Sequence, residues 1–134
     1  MANDNLVKLL YYNDKDPLSH DALTDEQKRD LVFNKLIRIV PKVTSKETTQ
    51  SCVAIRVVSG VKIGSNKEFK TLHLSIEVFT PWDQWVFKNT NLRPFAILGE
   101  IQRSLEDKTV NGLGKIQGGD FTLSFLTDEI SCYE

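Results

Sequence analysis

The chain has 134 residues, 26% of them charged and 40% hydrophobic, with a formal net charge of -1. That length suits one domain with its own core. The near-neutral balance excludes a strong overall electrostatic grip on nucleic acid or an anionic membrane, though not a local basic patch.

No apolar run approaches the ~20 residues needed to span a bilayer. The opening Met1-Ala2-Asn3-Asp4-Asn5 lacks the basic start and apolar stretch of a secretory signal. The expected location is therefore the cytoplasm, or a particle assembled there. Cys52 and Cys132 lie far apart in strand-like segments and read as buried free thiols, with no metal-ligand spacing.

Leu6, Leu9 and Leu10 have helical spacing, followed by the turn-rich Asn13-Asp14-Lys15-Asp16-Pro17. Residues 1–23 are a candidate docking arm, on their own domain or on a neighbouring chain, and 24–134 the core. Thr24 and Gln27 are spaced as a capping box, which predicts a helix over 25–34. Residues 35–40 fit a helix end or a strand, and Pro41 terminates either.

Val53, Ile55 and Val57 alternate with Ala54, Arg56 and Val58. Leu72, Leu74, Ile76 and Val78 alternate with His73, Ser75 and Glu77. These read as two strands of one hairpin, with Lys62, Lys67 and Lys70 near its tip. Thr80-Pro81-Trp82 breaks the second strand. Pro94 opens a helix ending near Asp107, with Leu98, Ile101 and Leu105 as its buried stripe and Glu100, Arg103 and Glu106 in water. Gly99 inside that helix predicts close packing against a sheet. Two or three short antiparallel strands fit the remainder, and the last one runs open-ended into residue 134. The expected fold is α+β: a mainly antiparallel sheet of about four to six strands packed against one main helix, plus an N-terminal helical segment.

Templates for chemistry fail at named positions. Gly114-Lys115 lacks the hydroxyl residue of a phosphate loop, because 116 is Ile and 109 is Thr where the first glycine belongs. Gly112-x-Gly114 lacks the third glycine of a dinucleotide loop. Asp14-x-Asp16 begins like a calcium loop, but Leu18 and Ser19 occupy a ligand and the glycine position. His73, Ser75 and Glu77 share one strand face without a nucleophile elbow. The reading is no enzyme, no cofactor, no metal and no catalytic residue.

Lys62, Lys67 and Lys70 with Phe69 form a candidate contact loop, for nucleic acid or for a neighbouring subunit. Trp82, Trp85 and Phe87 pack over the sheet or anchor a partner. Tyr133 lies on the open last strand and joins the candidate interface.

The order of these elements resembles the tail-terminator and head–tail joining proteins of tailed bacteriophages over residues 50–134. The helix start Arg93-Pro94-Phe95-Ala96-Ile97-Leu98 carries the resemblance, as do Glu77-Val78-Phe79-Thr80-Pro81-Trp82 and the passage from Ile101 to Gly114. The resemblance implies a virion structural protein that forms a homo-oligomeric ring, a hexamer for a tail terminator. It would contact other neck, portal or tail-tube proteins and let DNA pass unread through its lumen, without any membrane. A small nucleic-acid-binding module using the Lys62–Lys70 tip is the alternative.

Overall fold

A computed structural model describes residues 3–29, 35–39, 50–62, 70–110, 114–121, 123–127 and 130–133. The fold is α+β. Helix α1 spans Asp4–Tyr11, α2 is the short Asp25–Gln27 and α3 is Arg93–Leu105. Strand β1 is Ile37–Ile39, β2 Cys52–Lys62 and β3 Lys70–Pro81. After α3 come β4 (Thr109–Val110), β5 (Gly114–Lys115), β6 (Leu123–Thr127) and β7 (Ile130–Tyr133).

A mixed set β1-β2-β3 forms one side of the sheet, with β1 at its edge, and β7 then β6 continue it beyond β3. β1 runs parallel to β2, where a mainly antiparallel sheet was expected; the other pairs of this sheet are antiparallel. Ile37–Ile39 forms a strand, held by its register with Val53 to Ile55 and by Val53 N donating to the carbonyl of the preceding Leu36. β4 and β5 form a separate two-stranded ribbon. The last strand is not open-ended. β7 is flanked by β3 and β6, so both its edges are paired.

Thr24 accepts from Gln27 N while the Gln27 side chain accepts from Thr24 N, completing the capping box. Of the helix expected over 25–34, residues 30–34 lie outside the described residues. The N-terminal segment packs on its own domain: Val7, Leu9 and Leu10 are buried with Val53, Val78, Phe79 and Ile97. Asn3 performs two tasks. Its Oδ1 accepts from Asn5 N and Leu6 N, capping α1, and its Nδ2 donates to Glu100 Oε2 at 2.7 Å and Ser104 Oγ at 2.9 Å on α3.

α3 is rotated from its expected setting. Arg93, Pro94 and Ile97 are its buried residues, while Leu98, Ile101 and Leu105 are half-buried. Glu100, expected in water, is held by Asn3 and Arg103. Burial opposes ionisation of its carboxyl, but these hydrogen bonds outweigh it and hold the group below its ordinary value. A carboxyl depressed in the folded state stabilises above the unfolded pKa, and that contribution is lost as pH falls through the folded one. Glu100→Gln is expected to lower the neutral plateau of an unfolding-midpoint profile slightly and to flatten part of its acid limb.

Among the described residues, Gly99 packs closely on nothing: a Cβ there meets none of their atoms within 4 Å, because the residue lies off the buried line through Arg93 and Ile97. Gly99→Ala should therefore raise stability by about 0.5–1 kcal/mol through reduced backbone freedom in the unfolded chain. The expected reading is a higher urea midpoint at unchanged slope.

Candidate assembly surface

β2 and β3 pair from Cys52↔Phe79 out to Lys62↔Lys70, with a register shift between Val57 and Ser59. Only the base of this hairpin is embedded. β1 covers β2 at 53–55, and β7 covers β3 at 78–81. Beyond those contacts, residues 57–61 and 71–74 are exposed. The hairpin leaves the body as a two-stranded arm.

One face of the arm is apolar throughout. The opposed pairs Val53↔Val78, Ile55↔Ile76 and Val57↔Leu74 share it, and Leu72 follows two residues outward. Along this face Val78 is fully buried, Ile76 half-buried, and Leu74 and Val57 are 43% and 65% exposed. Val58 and Val61 add further exposed apolar surface. An isolated two-stranded ribbon is marginal in water, and a contiguous exposed apolar patch marks a contact site. The alternation that made these strands legible as half-buried thus continues past the point where the chain's own core ends.

The opposite face carries Arg56 and Glu77, which form an ion pair with Glu77 buried. Glu77 of the His73-Ser75-Glu77 row is thereby engaged by Arg56. Asp14 is likewise engaged: its carboxylate accepts from Asp16 N at 2.8 Å and pairs with His20 at 2.6 Å, with His20 stacked on Tyr12.

The expected contact residues separate into two groups. Lys62 and Lys70 are register partners at the outer end of the arm, and Lys67 and Phe69 lie outside the described residues. Trp82 follows the other end of the 12-residue β3, roughly 40 Å away at ~3.3 Å per strand residue. There Trp82 is 39% exposed and stands edge-on to half-buried Trp85, centroids 4.1 Å apart. Phe87 is buried beneath the Arg93 guanidinium, 5.0 Å from its ring centroid, and belongs to the chain's own packing. Tyr133 pairs with Val78 and Leu123 inside the sheet, so β7 offers no free edge.

Sequence reading missed Arg93. It is fully buried, and its guanidinium donates to the carbonyls of Gln84 (2.8 Å), Leu9 (2.7 Å), Tyr12 (2.7 Å) and Asp14. Gln50 Nε2 donates to the Leu10 and Tyr11 carbonyls at 2.9 and 3.0 Å. Together they satisfy the four carbonyls that the end of α1 leaves open, and the cation meets the negative end of that helix. Burial pushes the Arg93 pKa down to about 10, opposed by Asp14 and Asp83, so it remains charged at neutral pH. The available signal was a basic residue in the first turn of α3, the end of a helix that disfavours cations. Also missed were Phe95 and Phe121, 44% and 59% exposed with ring centroids 6.2 Å apart.

A shallow groove of about 310 Å³ lies between the 15–18 loop and the 87–89 turn, lined by Pro17, Leu18 and Phe87 with Lys15 and Lys88. Among the described residues no helix is long and apolar enough to cross a membrane, and no cluster of His, Cys, Asp and Glu is suited to a metal ion.

A family profile matches residues 3–129, nearly the whole chain. The chain belongs to the YomW family. This is a phage-like family associated with Bacillus prophages. No curated relative and no solved structure matches the chain. The YomW match includes α1 and the Arg93 tie as well as the arm, so the N-terminal segment is part of the family's extent and not an addition to it.

Proposed function

We propose that this protein is a structural subunit of a phage virion that assembles into a homo-oligomeric ring at the head–tail neck. In that place it acts as a tail terminator or head–tail connector, joining tail to portal while DNA passes through the lumen. One observation carries the reading: a hairpin arm that projects an apolar face beyond the core that explains its base. The prophage association of the YomW family supports it, as does the second, distant contact group around Trp82. A ring needs two different contact regions on each subunit. The near-neutral net charge is compatible with a lumen that lets DNA move.

The test is native mass spectrometry and class-averaged imaging of purified protein, with co-sedimentation on tail tubes and portal complexes. Closed rings, hexamers above all, that bind one of these assemblies are expected. A monomer at every concentration that binds neither would remove the proposal. The Lys62↔Lys70 pairing, two lysines opposite one another at the end of the arm, favours an anionic partner as a second reading. Salt-dependent DNA binding lost in Lys67→Glu and Lys70→Glu would favour it over the ring.

A further inference from the structure

The arm has two unlike open edges. Among the described residues, no strand lies outside β2 at 57–61 or outside β3 at 71–74. The usual protections of a free edge are scarce in these stretches. Val57-Val58-Ser59-Gly60-Val61 and Thr71-Leu72-His73-Leu74 contain no proline, lysine or acidic residue. The register shift beside Val58 is the one irregularity.

We propose that residues 57–61 of one copy pair with residues 71–74 of the next, head to tail, so that the sheet continues from chain to chain. This rests on the ring reading above and names its contact. Three features select a second copy as the occupant. β2 and β3 run antiparallel, so copies placed side by side in the same orientation present β3 to the neighbour's β2 as a further antiparallel pair. The two edges are close in length, so each copy carries the complement of what it lacks. A foreign strand would cover one edge and leave the other open. The apolar face gains from the same arrangement, because Val57, Leu72 and Leu74 of adjacent copies become cross-strand neighbours on one continuous surface. Unlike edges give a heterologous contact, which closes into a ring or runs on as a filament.

The test uses the full chain in a Cys132→Ser background, carrying either Ser59→Cys or His73→Cys. Both positions are exposed. The proposal expects mild oxidation to form a disulfide between Ser59→Cys and His73→Cys chains in a mixture, and neither variant with itself, because like positions of adjacent copies lie two strands, about 10 Å, apart. Val57→Glu and Leu74→Glu should weaken self-association at least tenfold while the far-ultraviolet spectrum and unfolding midpoint stay near wild type. Linking within one variant alone would put like edges together around a two-fold axis and overturn the proposal. Rings that persist in both glutamate variants without the mixed product would overturn it and leave the ring reading standing. A chain that stays monomeric, with arm amides protected from exchange only when another virion protein is added, would overturn both.

Discussion

Arg93→Ala is expected to lose roughly 3–5 kcal/mol of unfolding free energy, the range for breaking a buried charged network. The side chain ties the end of α1 and the 12–14 loop that follows it to the turn before α3, about 70 residues later in the chain. Its removal leaves carbonyls at Leu9, Tyr12, Asp14 and Gln84 without this donor and withdraws the cation from Phe87. Arg93→Lys should recover only a small part. One ammonium cannot reproduce the planar fork that reaches carbonyls on several sides. Urea unfolding of the three proteins checks this. A loss below about 1 kcal/mol for alanine would mean that water replaces the guanidinium, contrary to its full burial.

The Arg56–Glu77 pair offers the second large effect. Arg56→Ala leaves a buried carboxylate without its cation and should destabilise by about 2–4 kcal/mol. Replacing both, Arg56→Met with Glu77→Leu, should cost far less than the sum of the single losses. The pair is imperfect: Arg56 Nε is buried with no acceptor among the described residues, so an apolar substitute gives up little. A double-mutant cycle measures the coupling. Additive losses would show that the two side chains act independently.

Much of the fold was legible because it depends on local signals. Period-two alternation located β2 and β3, the Thr24/Gln27 spacing located a helix start, and Pro94 marked the beginning of α3. What failed depended on tertiary context. The buried line of α3 is set by Arg93 and Ile97, and a residue-type rule places an arginine in water. Glu100 looked solvated because its partner Asn3 is 97 positions away. The parallel placement of β1 is invisible to alternation, which is the same in either strand direction. β7 looked open because sequence alone could not place both β3 and β6 beside it. The candidate surface was half legible. The hairpin and its lysines were found, but alternation cannot say which part of an apolar face its own chain covers.

The shared capping of α1 also sets how the molecule opens. A helix end normally frays alone, one turn at a time. Here the last turn is hydrogen-bonded to Arg93 and Gln50, residues of later segments. Releasing that turn means withdrawing a buried guanidinium from the start of α3. The amides of α1 should therefore exchange with solvent in step with those of α3, as one cooperative unit joined across more than half the chain.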